Sequence, residues 1–192
     1  MAQRGFKAQT RRQALEVRTE LGTGPHEVLD VFALADLYGV PIVHLSDLRE
    51  SDCPRGSLDY YLNDGASSFS AAAVPIDSGG LVVVNDAHPP VRVRSSLAHE
   101  LAHWLLEHPF PVSLCVDGVC RVFDAATEEQ ANLLAGELLI PTDAAHRLAA
   151  LRWSDHQVAE LHNVSVRFAK MRMDQSGARK RAERARMKRN GT

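Results

Sequence analysis

Between Ser95 and His108 the chain reads SSLAHELAHWLLEH, three histidines and two glutamates set into an otherwise apolar run. Leu97, Ala98, Leu101, Ala102, Trp104 and Leu105 recur at helical spacing, so the segment predicts a largely buried helix. Buried imidazoles and carboxylates need partners. Residues four apart share a helix face, which sets the rings of His99 and His103 side by side. Two neutral imidazole nitrogens so placed suit a zinc ion, which takes them at about 2.0–2.1 Å. Glu100 lies about 100° further round the helix. From there it can reach a water at the metal without being a ligand, as a general base does. In a chain with nine histidines among 192 residues, a chance His-Glu-x-x-His is expected only about 0.02 times.

Two histidines do not complete a catalytic zinc site, which takes three protein ligands and a water. The extended pattern HExxHxxGxxH fails, because Leu106 and Pro109 stand at its glycine and third histidine. His108 falls one residue short and reads as a surface histidine or a support for a ligand. The other source is a carboxylate from a later helix, and EEQAN at 128–132 supplies one. Glu128 and Asn132 are four apart, so the carboxylate can take the third position while the Asn132 amide orients a ligand histidine. Glu129 points elsewhere and reads as a solvated first-turn carboxylate.

RSSLAHELAHWLLEH followed by EEQANLLAGELLIP resembles the ImmA/IrrE family of metallopeptidases. The resemblance extends over roughly residues 10–175, taking in FALADLYGVPIVHL, LVVVNDAHPP and the helices after Pro141. It implies a gluzincin-like zinc endopeptidase with His99, His103 and Glu128 as zinc ligands and Glu100 as acid and base. It also implies a protein substrate, an XRE-type helix-turn-helix repressor of phage or stress-response genes. Gln130 stands where the family often has a second glutamate, a departure that touches no ligand.

Charge is unevenly distributed. From Asp174 to Thr192 seven basic residues face two acidic ones, so this tail is +5 while the whole chain is −2. The tail reads as a solvated, disordered charge run with nonspecific nucleic-acid contact. Ahead of it, residues 154–173 have helix-turn-helix spacing, with Asn163 at the turn, Ser165 as an N-cap, and Arg167, Lys170 and Arg172 on the second helix. This supports an alternative, a DNA-binding regulator with a structural or vestigial metal site. No apolar run is long enough for a membrane span. The start MAQRGFKAQTRRQ lacks the apolar core of a secretory signal. Three cysteines fit a reducing cytoplasm better than a disulfide framework.

The remaining pattern predicts helices over 8–21 (Thr10 as cap) and 27–38, a strand over 40–45, an irregular 46–67, and a hairpin of FSAAAVP and LVVVN. Ser95 or Ser96 would cap the HExxH helix and Thr127 the next. GLVVVN is a candidate edge strand for binding substrate. Tyr60, Tyr61 and His88 are candidates for stabilising an oxyanion. Cys115 and Cys120 would face each other across a turn as small apolar residues, and Cys53 is isolated. The expected fold is α+β, a small mixed or antiparallel sheet packed on the HExxH helix. The expected organisation is a zinc metallopeptidase domain over 1–141, a helical region over 142–176 and the tail over 177–192.

Overall fold

The computed structural model describes residues 5–51, 53–76, 79–109 and 125–190. Among these it holds nine α-helices and a three-stranded mixed sheet, an α+β architecture. The chain divides into two compact units. One runs from Val31 to Ala135; the other joins Gly5–Asp30, which carries α1 (Phe6–Glu20), to the chain from Gly136 onward. The division thus falls before residue 141, and the N-terminal helix groups with the C-terminal ones.

The first unit comprises α2 (Val31–Leu37), β1 (Ile42–His44), α3 (Arg55–Leu62), β2 (Ala71–Ile76), β3 (Gly79–Val84), α4 (Pro90–Leu105) and the start of α5 (Ala125–Leu139). Strand order is β1-β3-β2, with β1 parallel and β2 antiparallel to β3. The expected hairpin is present, but GLVVVN is the central strand β3, paired on both sides. It cannot accept an added strand. Among the described residues, the edge beside it that carries no further strand belongs to β2. The Asn85 amide donates to the Ser70 carbonyl at 2.9 Å. Alternation then turns the backbone of Ala72, Val74 and Ile76 toward β3 and that of Ala71, Ala73 and Pro75 outward. Pro75, lacking an N–H, therefore costs the ladder nothing.

Helix α4 packs on β2, β3 and α2. Its buried stripe is Val93, Leu97, Ala98, Leu101 and Ala102, against Val82 and Val84 of the sheet. Each leucine so buried stabilises by about 1.5–3 kcal/mol. The helix starts earlier than expected. Pro90 stands at its first position, where a missing N–H is harmless, and the Ser95 hydroxyl instead donates to the Arg92 carbonyl within the helix. Likewise α5 already begins at Ala125, so Thr127 lies inside its first turn. The supposedly irregular 46–67 contains α3 and short 3₁₀ turns at Leu45–Glu50 and Ala66–Ser68.

The second unit holds α6 (Thr142–Ala150), α7 (Asp155–His162), α8 (Val166–Gln175) and α9 (Ala178–Asn190) besides α1. Ser154 and Gln157 form a capping box on α7. Asn163 takes the left-handed conformation at φ +51°, and Ser165 caps α8 through the Phe168 amide. Helix α1 begins at Phe6, and Thr10 lies buried inside it rather than at its cap.

Two expectations fail in this unit. The tail is helical to residue 190, because Ala, Arg, Lys and Glu are good helix formers and Ala178 and Ala182 are buried where α9 packs on α6. Arg172 is also unavailable to DNA. It is 2% exposed, and its Nε donates to the carbonyls of Gly136 and Ile140 at 3.0 and 2.8 Å. It pairs with Glu137 at 2.5 Å. Burial pushes its pKa down while Glu137 holds it up. Arg18 donates to the Leu138 carbonyl at 2.6 Å. The end of α5, where carbonyls lack helical donors, is thus bonded to second-unit guanidiniums, which is why the boundary falls before Gly136.

Candidate metal centre

Two helices of the first unit supply the centre. The stripe that buries Leu97 and Leu101 leaves His99 and His103 half-buried on the adjoining face of α4. Their Nε2 atoms lie 3.1 Å apart. Glu128, in the first turn of α5, meets both: Oε2 is 3.2 Å from His99 Nε2, and Oε1 is 3.4 Å from His103 Nε2. Like-facing nitrogens and a carboxylate gathered this closely are a donor set for a cation. Tetrahedral ligands at 2.0–2.1 Å from zinc are separated by about 3.3–3.4 Å; the two Nε2 atoms, and a different Glu128 oxygen for each histidine, lie close to that spacing. The fold thus brings together the three side chains, from two helices, that the sequence nominates as ligands.

Glu100 is half-buried beside the cluster and its Oε2 accepts the backbone N–H of Ala73 at 3.1 Å. The Ala73 amide is one of the outward-facing groups of β2, so the carboxylate sits at the open edge of the sheet.

Asn132 is placed differently from its expected role. It is exposed, and among the described residues no hydrogen bond joins its amide to either histidine. The support comes from residues with weaker sequence signals. His108 Nδ1 lies 3.0 Å from His103 Nδ1, and His108 Nε2 lies 3.0 Å from Gln130 Oε1. A tight helix end brings His108 there. Glu107 takes φ +53°, its amide donates to the Trp104 carbonyl, and the His108 amide donates to the His103 carbonyl at 3.0 Å. This is a Schellman ending with a glutamate at the position glycine usually holds. The absence of that glycine is why the sequence does not announce the turn.

Of the oxyanion candidates, His88 has its Nε2 engaged elsewhere. His88 is buried, with Nε2 3.0 Å from the Phe69 carbonyl and 3.4 Å from the Ser70 hydroxyl. Tyr60 packs edge-on against Tyr61, and Tyr61 against Phe69. Cys53 is a free thiol. Cys115 and Cys120 lie outside the described residues. No helix among the described residues is long and apolar enough to cross a membrane.

The profile of the IrrE N-terminal-like domain family (peptidase M78) matches residues 57–174. The match covers α3 through α8 and so contains the whole cluster, while β1 and the helices before it lie outside. Neither the curated proteins nor the solved structures yield a match.

Proposed function

The chain belongs to the IrrE N-terminal-like peptidase family, and we propose that it is a zinc-dependent endopeptidase whose substrate is a helix-turn-helix transcriptional repressor of the XRE type. The observation that carries this reading is the triangle of His99, His103 and Glu128 donors beside Glu100 at an open strand edge. The peptidases of this family are generally zinc-dependent, and the donor set matches that ion.

When bound, zinc would polarise the scissile carbonyl and acidify a water. The chain's own groups do the rest. His99 and His103 present Nε2, and Glu128 its carboxylate, holding the ion on two rigid helices. Glu100 takes a proton from the attacking water and returns it to the departing amine. The Ala73 amide fixes Oε2 of that carboxylate. The outward carbonyls of β2 and the Ala71 amide offer an extended peptide a strand to pair with, the Ala73 amide being held by Glu100. A repressor is the substrate class that the family resemblance implies, cut where a segment can straighten along that edge.

The DNA-binding alternative draws less support, since Arg172 is buried and, of the cations on α8, Arg167 and Lys170 are the exposed ones. The test is incubation of the zinc-loaded chain with a helix-turn-helix repressor encoded beside it. Cleavage by the wild type, abolished by chelator and by Glu100→Gln, is the expected result. An intact repressor throughout would contradict the substrate assignment.

A further inference from the structure

We propose that His108 and Gln130 form a directional hydrogen-bond relay that fixes the tautomer and ring orientation of His103, making both of them positioning residues for the zinc site. The inference rests on reading His99, His103 and Glu128 as that site.

The geometry admits one consistent proton order. His103 turns Nε2 toward His99 and Glu128 and Nδ1 toward His108. A nitrogen that binds a cation carries no proton, so a neutral His103 carries its proton on Nδ1. That N–H donates to His108 Nδ1 at 3.0 Å. His108, accepting there, carries its own proton on Nε2, which faces Gln130 Oε1 at 3.0 Å. A carboxamide oxygen only accepts, so the chain of donors ends there. The rings of His103 and His108 stand 69° apart with centroids at 5.0 Å, an edge approach that suits in-plane nitrogens. Reversing the order would put a proton on His103 Nε2, aimed at the metal position.

Two features of the backbone serve this arrangement. Glu107 holds a left-handed conformation that is strained for a non-glycine residue. The turn it makes is what returns His108 to His103 after the helix has ended. Gln130 stands two residues after Glu128 on α5, so the relay ties together the two helices that carry the metal donors. Partners of this kind behind a ligand histidine set its basicity and angle, and their loss costs about 10–100-fold in metal affinity.

The test measures zinc affinity of the full chain by competition with a chromophoric chelator. His108→Ala and Gln130→Leu are expected to weaken binding by about 10–100-fold. Gln130→Glu, which still accepts from His108, is expected to keep wild-type affinity, whereas Gln130→Met, of similar size but with no acceptor oxygen, is expected to lose it, a split that a role in packing alone does not predict. Long-range proton–nitrogen correlation spectra of the zinc-loaded wild type should show His103 protonated at Nδ1 and His108 at Nε2. His108 protonated at Nδ1 would overturn the relay even if His108→Ala folds poorly. So would wild-type affinity in His108→Ala and Gln130→Leu while His99→Ala loses zinc, an outcome that leaves the site itself standing. A wild type that takes up no zinc would overturn site and relay together.

Discussion

Ala73 donates its backbone N–H to the Glu100 carboxylate across 3.1 Å, joining the open edge of the sheet to the residue assigned as acid and base. Glutamine in place of Glu100 keeps an oxygen for that N–H and removes the base. Glu100→Gln should therefore retain the fold and the zinc content of the wild type while peptide cleavage falls by about 10²–10⁴-fold. Cleavage rates alongside metal analysis check this. An active variant would place the base elsewhere.

The cluster was legible in the sequence because each of its members obeys a local rule. His99 and His103 are one turn apart, Glu100 is beside them, and Glu128 opens the next helix. What supports them was legible only in part. Asn132 has the right spacing from Glu128 but faces solvent, because spacing alone does not say which side of α5 is covered. The sequence leaves His108 between a surface position and a support for a ligand, because counting it along α4 assumes the helix continues. It ends at Leu105, and a left-handed glutamate turns the chain back. Arg172 read as one of three cations on a helix face, since its exposed neighbours Arg167 and Lys170 look the same in a sequence. Its carbonyl partners, Gly136 and Ile140, are more than thirty residues away. The helical tail was missed for a related reason: charge argued for disorder, while the alanines that α9 buries are only two.

Arg172 holds a buried ion pair and the end of α5 together. Removing it leaves Glu137 charged and buried, a change that costs about 3–5 kcal/mol. Arg172→Ala should lower unfolding free energy by that amount in denaturant titration. Arg167→Ala and Lys170→Ala, both exposed, should stay within about 0.5 kcal/mol of wild type. Equal effects from all three would contradict the assignment of Arg172 to the core.

Asp86 offers a pH test. Burial disfavours its charge, but the Ser46 hydroxyl and amide donate to its carboxylate at 2.6 and 3.0 Å and outweigh that, holding its pKa below the ordinary value. A depressed carboxyl stabilises the fold fully above its unfolded pKa of about 3.9, and the contribution is lost as pH falls through the folded value. Ser46→Ala should cost about 1 kcal/mol at neutral pH. The difference from wild type should shrink as the pH drops below that of the unfolded carboxyl. A difference that grows on acidification would reverse the sign of the linkage.

Lys180, Arg184 and Arg189 lie exposed on α9. If they touch nucleic acid, binding should be steeply salt-dependent and indifferent to sequence, and the log–log salt slope should fall by about 0.9 for each phosphate pairing removed. Glutamine at all three positions is preferable to truncation after Gly177, which would uncover the faces that Ala178 and Ala182 pack against. Fluorescence anisotropy with duplex DNA at several salt concentrations checks this. Tight, sequence-selective binding that survives the three substitutions would instead favour α7 and α8 as a reading head.

X-ray absorption at the zinc edge of the metal-loaded chain reads the ligand assignment itself. Two imidazole nitrogens are expected at about 2.0–2.1 Å, oxygen from Glu128 and solvent at about 2.0–2.2 Å, and no sulfur. One imidazole should vanish from the spectrum, with much of the zinc, in His99→Ala. A sulfur shell at about 2.3 Å, or a spectrum that His99→Ala leaves unchanged, would contradict a zinc site built from His99, His103 and Glu128.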